Sequence, residues 1–240
     1  AGARLVLSAR HQDEFARVAR DLGGAGADAM VVRMDLADPA AISESVQTVL
    51  AKCRGIDVLV NNAGKAQRAL VRGASIEVYR HLFEVNFFGP LAFTQAVLPA
   101  MAEAGGGRIV VISSIAAYYA SPYRSGYNAS KKALHGLFDA LRAEEHANRI
   151  GVSLIVLGSV RTRVSVNALR GDGSPYGRMD PAMAAGMEPG AVARRIVRAT
   201  AQGREEVTIA PLHQRWLVWR KKYFPALASR AVRLRPKSSG

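Results

Sequence analysis

The chain has 240 residues, of which 49% are hydrophobic and 22% are charged. This composition can bury one sizeable core, so neither intrinsic disorder nor several separate domains are expected. The single cysteine, Cys53, excludes an intramolecular disulfide and favours a reducing, cytoplasmic compartment, and no apolar run reaches the roughly 18 residues that a membrane-spanning helix needs.

Positive charge is concentrated at the C-terminal end of the chain. The formal net charge is +14, and residues 213–240 contain eight Lys and Arg but no Asp or Glu. A basic balance favours an anionic partner, such as nucleic acid, an anionic membrane surface or an anionic cofactor. Because the rest of the chain is only mildly basic, we expect no nucleic-acid partner.

Strand and helix signals alternate along the chain. The predicted strands are residues 4–8, 29–34, 56–60, 108–113, 151–157 and 207–209. The predicted helices are residues 13–22, 39–53 (with Asp38 as N-cap), 75–101, 127–148 and 190–202. Apolar strands that alternate with helices indicate βαβ units and a doubly wound parallel sheet. The sequence therefore predicts a single α/β domain over residues 1–212, followed by a basic amphipathic tail over residues 213–240.

The stretch of residues 163–189 is irregular and rich in Gly and Pro. A loop of this length inside a compact domain is usually functional, often as a lid over a site. Met179, Met183 and Met187 either line an apolar substrate pocket, because Met adapts to varied shapes, or simply pack beneath the lid. Both interpretations stay open.

Tyr127 and Lys131 lie at i and i+4 of a predicted helix and therefore on one face. The free pKa of tyrosine is about 10, which is too high for acid–base work at neutral pH. A lysine cation held close favours the phenolate and lowers that pKa, as a general acid/base requires. The alternative is a Tyr and a Lys that share a helix surface by chance.

Ser114 follows a predicted buried strand and precedes Tyr127 by thirteen positions. The carboxyl ends of parallel strands are where α/β sheets bind their ligands. A serine hydroxyl at that place can donate to a substrate carbonyl oxygen while the tyrosine delivers a proton. A strand-end serine that caps local backbone is the alternative.

Taken together, these motifs resemble the short-chain dehydrogenase/reductase family in order and spacing. The resemblance rests on Asn61-Asn62-Ala63-Gly64, on Asn86 within Val85-Asn86-Phe87-Phe88-Gly89, on Ser114 and on the pair Tyr127 and Lys131. It covers roughly residues 1–210. It implies a Rossmann-like fold and an oxidoreductase that transfers hydride between a nicotinamide cofactor and a carbonyl or alcohol.

The resemblance also implies a role for each matching residue. Ser114 would orient the substrate carbonyl and Tyr127 would donate the proton. Lys131 would bind the nicotinamide ribose and lower the pKa of the tyrosine. Asn86 would hold a water that relays protons. Asn61, Ala63 and Gly64 would line the cofactor site.

A narrower resemblance, to the member 7/7B-like subgroup, rests on three segments of the irregular loop. These are Ser165-Val166-Asn167-Ala168-Leu169, Asp172-Gly173-Ser174 and Tyr176-Gly177-Arg178-Met179-Asp180. The subgroup is membrane-associated and is linked with steroid, retinoid or acyl-lipid carbonyls, which implies a lipophilic substrate. The family also forms homo-oligomers through the two long helices. The stripe Leu134, Leu137, Phe138 and Leu141 fits that contact and burial against the sheet equally well.

Cofactor choice can be predicted at the end of the first strand. In a dinucleotide-binding fold, an acid near the end of the second strand holds the ribose 2′-hydroxyl, whereas an arginine accommodates a 2′-phosphate. By resemblance, that second strand corresponds to the first predicted strand of this chain. Ala9 stands at the place of the acid and Arg10 follows, so the sequence predicts NADP(H); a surface arginine is the alternative. By resemblance, Asp35 would face the adenine, and Val160 and Thr162 would contact the nicotinamide.

One departure from the family pattern is large. No G-x-x-x-G-x-G stretch occurs, and the sequence begins where the family's second strand would begin. The first strand and its glycine-rich turn, which places backbone N–H groups on the pyrophosphate, are therefore expected to be absent. This leaves an alternative function, a catalytically impaired fragment with a structural or interaction role.

The remaining candidates are weaker. The five histidines have no metal-ligand partner at short spacing, so no metal site is predicted and they are interpreted as surface or helix histidines. The tail interleaves Trp and Phe with Lys and Arg, which suits an anionic membrane surface. A C-terminal helix that covers the substrate loop and ends in a solvated basic tail fits equally well.

Overall fold

The computed structural model describes residues 3–10, 18 and 29–233. The helix predicted over residues 13–22 lies outside these residues except for Val18, which is helical. Arg235 and the remainder of the predicted tail after residue 233 lie outside them as well.

Six strands form the described sheet structure. They are β1 (Val6–Ala9), β2 (Met30–Arg33), β3 (Val58–Asn61), β4 (Gly107–Ser114), β5 (Ile150–Leu157) and β6 (Glu206–Ile209). β1 pairs with β2, and the other four pair in the order β3-β4-β5-β6; every one of these pairings is parallel. The predicted doubly wound α/β fold with a parallel sheet is confirmed.

β1 and β3 each have an edge to which no described strand pairs. Strands of a parallel sheet are normally buried, yet the apolar side chains here are open to solvent. Val6, Val58 and Val60 are 37%, 47% and 49% exposed. Apolar surface is therefore uncovered on both strands.

Helix α1 (Pro39–Lys52) connects the two parts of the structure, because it packs both on β2 and against the long central helix. Its start follows the sequence. Pro39 occupies the first turn, and the Asp38 carboxylate accepts from the backbone N–H groups of Ala40 and Ala41 at 3.0 and 3.2 Å. The predicted N-cap is confirmed.

The long helix predicted over residues 75–101 is continuous but not uniform. It consists of α2 (Ile76–Phe83), a π-helical turn (Glu84–Phe88) and α3 (Gly89–Glu103). Gly89 follows the π turn, and any Cβ there would meet the Leu36 carbonyl oxygen at 2.5 Å. The close approach of the chain around Leu36 thus requires glycine at this position.

Among the described residues, this helix is also the one long and apolar enough to cross a membrane. It spans Ile76–Glu103, and its most apolar 18-residue window has a mean hydropathy of 1.2. The expectation that no segment is long and apolar enough to span a membrane was therefore wrong, since this helix meets both criteria. Core helices meet the same criterion, and Val97 and Met101 of this helix are fully buried in the main core.

Helix α4 (Ser125–Glu144) lies against the centre of the sheet. Leu134, Phe138 and Leu141 are buried in the same core cluster as Ile109 of β4, and Leu137 packs at its margin. Most side chains of the predicted stripe are therefore buried against the sheet.

The described C-terminal part of the chain contains two short helices and, between them, two longer ones. These are α5 (Pro181–Ala184), α6 (Pro189–Ala201), α7 (Leu212–Tyr223) and α8 (Pro225–Ala231). The stretch of residues 163–189 is irregular as predicted, apart from α5. Met183 is buried and Met187 packs against the core, whereas Met179 is exposed.

Candidate active site

The predicted catalytic residues meet where β4 ends and α4 begins. Ser114 is the last residue of β4, and its hydroxyl accepts from the Ala116 N–H at 3.2 Å at the start of a 3₁₀ turn. Tyr127 lies in the first turn of α4. The Ser114 hydroxyl lies near enough to the Tyr127 phenol to oppose the rise in its pKa.

The electrostatics around Tyr127 differ from the prediction. Burial raises the pKa of the Tyr127 phenol, and the opposing influences are the Ser114 hydroxyl and the guanidinium groups of Arg124 and Arg68. Lys131 is not among the groups that lower this pKa. In this geometry the Ser114 hydroxyl and the two arginines oppose the effect of burial, and the role that the resemblance gives Lys131 stays a prediction.

Lys131 is committed elsewhere, which explains the difference. Its Nζ donates to the Ile112 carbonyl oxygen at 2.9 Å, and the side chain is 4% exposed. Burial lowers the pKa of Lys131 to about 8. The ammonium therefore holds the end of β4 to α4, and part of its population is neutral near physiological pH.

Asn86 lies in the π-helical turn and is fully buried. Its Oδ1 accepts from the Lys65 N–H at 2.7 Å, and its Nδ2 donates at 2.9 Å to both the Lys65 carbonyl oxygen and the Ser130 hydroxyl. The Ser130 hydroxyl donates onward to the Tyr127 carbonyl oxygen at 3.0 Å. A single amide thus connects the loop after β3 to the first turn of α4.

The loop after β3 keeps its backbone open towards this site. A Cβ on Gly64 would lie 3.5 Å from both the Asn86 Oδ1 and the Lys131 Nζ, and Ala63 and Gly64 are exposed. Asn61, at the end of β3, donates from Nδ2 to the Thr94 hydroxyl at 3.1 Å. Its buried Oδ1 has no hydrogen-bond partner within the described part of the chain.

Three basic side chains, Arg10, Lys65 and His81, lie near one another at the end of β1. Burial is the largest cause that lowers the pKa of Lys65, and Arg10 lowers it further. The pKa of His81 is likewise lowered by burial, then by Lys65 and Arg10. Asp35 lies near enough to His81 to oppose this, while its own Oδ1 accepts from the Ala37 N–H at 3.0 Å and so caps a turn.

The segment after β5 carries Val160 and Thr162. Val160 forms a parallel bridge with Met187, through bonds from the Arg161 N–H to the Met187 carbonyl and from the Met187 N–H to the Ser159 carbonyl, both at 2.9 Å. In this pattern the N–H and C=O of Val160 itself stay free of the bridge. The Thr162 hydroxyl lies 3.5 Å from the Val160 carbonyl oxygen and is exposed.

Two arginines beside Tyr127 were missed by the sequence analysis. Arg68 forms an ion pair with Asp180 through Nε, at 2.8 Å, and Nη2, and Arg124 Nη2 donates to the same Asp180 Oδ2 at 3.1 Å. The Ser165 hydroxyl accepts from the Asp180 N–H at 3.1 Å. We call Arg68, Arg124 and Asp180 the lid latch, because they fix the loop of residues 163–189 over the site.

Arg68 and Asp180 are 112 positions apart, so no short-range spacing could have indicated the lid latch. The clearest sequence signal for Arg124 was its place three residues before Tyr127. As for metals, no group of three or more His, Cys, Asp or Glu is arranged to hold an ion within residues 3–10, 18 and 29–233.

A parallel α/β sheet with a serine, a tyrosine and a lysine at one strand end defines a class of dinucleotide-dependent oxidoreductases. The family described as short chain dehydrogenase matches residues 1–172, and the chain belongs to that family. Its members are oxidoreductases that use nicotinamide cofactors and act on small-molecule substrates.

The relatives point to one branch of the family, which confirms the predicted resemblance. The chain is 38% identical to Dehydrogenase/reductase SDR family member 7B of Danio rerio, covering 96% of this chain and 78% of that protein. It is 40% identical to Dehydrogenase/reductase SDR family protein 7-like of Anopheles gambiae, covering 95% and 73%.

Solved structures of the family share the fold. A 7 alpha-hydroxysteroid dehydrogenase complexed with NADH and 7-oxo glycochenodeoxycholic acid matches with a TM-score of 0.75 at 23% identity, over 87% of this chain and 84% of that one. A gluconate 5-dehydrogenase from Burkholderia cenocepacia J2315, in complex with NADP and tartrate, matches with a TM-score of 0.72 at 24% identity, over 88% and 84%.

Proposed function

We propose that this protein is an NADP(H)-dependent oxidoreductase that interconverts a lipophilic carbonyl and its alcohol, with Tyr127 as general acid/base. The observation that carries the proposal is the convergence of Ser114 and Tyr127 at the carboxyl end of β4, with Lys131 buried beside them. This is the edge of a parallel sheet where ligands bind. The lipophilic substrate is supported by the exposed apolar side chain of Met179 in the lid and by the identity to member 7B relatives.

The residues that line the loop after β3 fit a dinucleotide. The Asn61 Oδ1 is a buried acceptor without a partner among the described residues, and Ala63 and Gly64 expose their backbone without a bulky side chain in the way. After β5, the Val160 N–H lies outside the bridge to Met187. The Thr162 hydroxyl, which donates to the Val160 carbonyl oxygen at 3.5 Å, is exposed and available to the nicotinamide carboxamide. When bound, the cofactor supplies or accepts the hydride.

The residues of the chain itself perform the proton chemistry. The Ser114 hydroxyl donates to the carbonyl oxygen and fixes its position, while the Tyr127 phenol gives that oxygen its proton in reduction and takes it back in oxidation. Because burial raises the pKa of Tyr127, the phenol is protonated at neutral pH, which suits reduction. Asn86 and Lys131 hold the loop after β3 and the end of β4 in place.

A preference for NADP(H) is supported by the cationic group at the end of β1. Burial lowers the pKa of Lys65 most and the charge of Arg10 lowers it further, and a phosphate dianion between the two side chains would relieve that repulsion. Asp35 lies near enough to His81 to oppose the lowering of its pKa, and its carboxylate accepts from the Ala37 N–H.

A second candidate function is a binding or interaction role without turnover. The uncovered apolar edges of β1 and β3 favour it. Quenching of tryptophan fluorescence by NADPH distinguishes the two functions. Saturable quenching at micromolar NADPH supports the enzyme, whereas none up to millimolar NADPH supports the second candidate.

We further propose that residues 1–212 form the catalytic domain and that residues 213–240 contact an anionic membrane surface. Trp216, Trp219 and Phe224 are 54%, 49% and 47% exposed. They alternate with basic side chains, and no described residue of this segment is acidic. Aromatic and cationic groups on one short helical segment suit the interface of an anionic bilayer.

The proposal includes a homo-oligomer formed through α3 and α4. A groove of about 240 Å³ lies between these helices and is lined by six apolar side chains, among them Leu91, Leu98 and Leu137, and by the polar Thr94, Gln95, Glu144 and Glu145. A partly apolar groove between two long helices is suited to a second copy of the chain. The cellular location proposed is cytoplasmic with peripheral membrane contact.

Turnover of defined carbonyls by the wild type and by Tyr127→Phe tests the catalytic proposal. NADPH oxidation would be followed with a 3-ketosteroid, all-trans-retinal and benzil as probes, and with glyceraldehyde as a hydrophilic comparison. We expect the wild type to reduce at least one lipophilic probe and Tyr127→Phe to lose at least about 100-fold in kcat. Tyr79→Phe is the control, because its hydroxyl bonds only to Ser125, at 2.7 Å. Undiminished turnover by Tyr127→Phe, or turnover of glyceraldehyde alone, contradicts the proposal.

A further inference from the structure

Four side chains form a hydrogen-bonded chain behind the candidate catalytic residues. Ser113 Oγ lies 2.8 Å from His135 Nε2, and His135 Nδ1 lies 3.1 Å from Tyr118 Oη. The Tyr118 hydroxyl donates to Glu206, whose two carboxylate oxygens are both 3.0 Å away. We call Ser113, His135, Tyr118 and Glu206 the His135 chain. It runs from the buried end of β4 to the surface at β6.

The chemistry of the four groups fixes the direction of the hydrogen bonds. A carboxylate only accepts, so the single Tyr118 proton goes to Glu206. His135 Nδ1 must then carry the proton that is donated to the Tyr118 oxygen. His135 Nε2 is left as an acceptor for the Ser113 hydroxyl. The His135 chain is complete only when the imidazole is neutral and protonated at Nδ1.

The surroundings of His135 favour that neutral form. The side chain is 4% exposed, and burial is the main cause that lowers the pKa of His135 below its ordinary value. Lys132 and Lys131 lower it further, whereas Glu206 and Asp139 oppose them. The Tyr118 ring meets the imidazole edge-on at 4.9 Å, and the Lys132 Nζ lies 5.1 Å from the centre of that ring.

The position of the His135 chain connects it to the catalytic geometry. Ser113 directly precedes Ser114, and Tyr118 follows the 3₁₀ turn that begins at Ser114. His135 lies one helical turn after Lys131 and two after Tyr127, on the same face of α4. Ser113 is only 3% exposed, which excludes it from contact with substrate. The His135 chain therefore connects the strand end that carries Ser114 to the helix that carries Tyr127.

We propose that neutral His135 is a positioning residue that sets the separation of Ser114 and Tyr127, and that its protonation in acid loosens this arrangement. The inference rests on the proposed oxidoreductase function. Protonation at Nε2 would turn the acceptor of the Ser113 proton into a donor. Ser113 would then have to find another acceptor inside the core, and the end of β4 would shift relative to α4.

The first experiment is independent of turnover. In the ¹⁵N-labelled chain, long-range imidazole spectra report the tautomer of His135, assigned by its loss in His135→Gln. We expect a neutral ring with the proton on Nδ1 at neutral pH. The same spectra of Tyr118→Phe should show a loss of that tautomeric preference. A His135 ring that is protonated, or that carries its proton on Nε2, at neutral pH overturns the inference.

The second experiment measures the catalytic effect. Tyr118→Phe keeps the ring but removes the link from His135 to Glu206, and we expect kcat for the best carbonyl probe to fall about tenfold with the KM for NADPH unchanged. In the wild type, kcat should decrease on the acid side of its pH profile (the acid limb), and His135→Gln should lose this decrease. His146→Gln, an exposed histidine beyond the end of α4, is the matched control.

The outcomes separate the two proposals. If folded Tyr118→Phe and His135→Gln both keep the wild-type kcat and acid limb, the positioning role is wrong while the oxidoreductase function stands. If the wild type reduces no probe, the proposed function fails, and the ¹³Cζ resonance of Tyr127 becomes the readout. That resonance should move in Tyr118→Phe, and an unmoved resonance overturns the positioning role as well.

Discussion

At the scale of single residues, the site combines a phenol whose pKa is raised with arginines that lower it. The Tyr127 phenol must ionise to accept a proton during alcohol oxidation, so the pH profile of oxidation reports its acidity. Arg124 lies 28% exposed beside it and opposes the effect of burial. The spacing of Tyr127 and Lys131 along the helix indicated Lys131 for this task. Helix spacing cannot reveal that the Lys131 ammonium donates to the Ile112 carbonyl oxygen.

Arg124→Met is expected to move the pH profile of alcohol oxidation to higher pH. Removal of the cation raises the pKa of Tyr127, so the phenolate forms only at a more alkaline pH. The measurement is kcat for alcohol oxidation with NADP⁺ as a function of pH. Arg124→Lys keeps a cation and should leave the profile closer to that of the wild type. A profile that Arg124→Met does not move, or moves to lower pH, would show that this arginine has no influence on the phenol.

Arg10→Gln is expected to reduce the preference for NADPH over NADH. A guanidinium that contacts a 2′-phosphate contributes about 1.5–3 kcal/mol, so the ratio of the two kcat/KM values should fall by at least about tenfold. Arg54→Gln, an exposed arginine after α1, serves as control. A wild-type ratio below one would refute the NADP(H) assignment outright.

At the scale of elements, most of the fold was predictable because strand and helix periods are local. The strands β1 to β6 and the helices α1, α4 and α6 lie within a few residues of their predicted bounds. The π turn around Asn86 was not predictable, because a one-residue shift in backbone hydrogen bonding leaves no mark in the apolar pattern. The lid latch escaped prediction for another reason, since it depends on how the loop of residues 163–189 folds back.

Asp180→Asn is expected to loosen the lid and destabilise the protein. Arg68 and Asp180 are 9% and 13% exposed, so loss of the carboxylate leaves a nearly buried guanidinium without its counter-charge. We expect a loss of about 2 kcal/mol in the free energy of unfolding and a rise in the KM for the carbonyl substrate. Thermal melting and steady-state kinetics measure the two effects.

Asp172→Asn supplies the comparison for that change. Asp172 lies in the same loop but is exposed, and its carboxylate bonds only to Ser174. An Asp180→Asn protein that melts with the wild type and keeps its KM would show that the lid is held by other contacts.

At the scale of the whole molecule, the C-terminal helices connect the proposed membrane surface to the segment after β5 that carries Val160 and Thr162. The Gln214 Oε1 accepts from the Ser159 N–H at 2.9 Å, and its Nε2 donates to the Ser159 hydroxyl at 3.1 Å. Any Cβ on Gly158 would meet Gln214 and Ala210. Removal of residues 213–240 would therefore disturb the segment that leads to Val160, so membrane contact has to be tested by substitution instead.

Trp216→Ser combined with Trp219→Ser is expected to abolish sedimentation with anionic vesicles while NADPH binding, followed by the fluorescence of NADPH itself, is kept. Both indoles are about half exposed and so contribute little to the core, whereas burial of each in a bilayer interface would stabilise attachment. The measurement is co-sedimentation with phosphatidylcholine vesicles that contain phosphatidylserine, compared with phosphatidylcholine alone at low and high salt. Val71→Ser, which removes an apolar side chain that is 68% exposed but far along the chain, is the control. Wild-type pelleting that is absent, equal on both vesicle types, or unchanged in the double variant would mean that the aromatic side chains of α7 serve another surface.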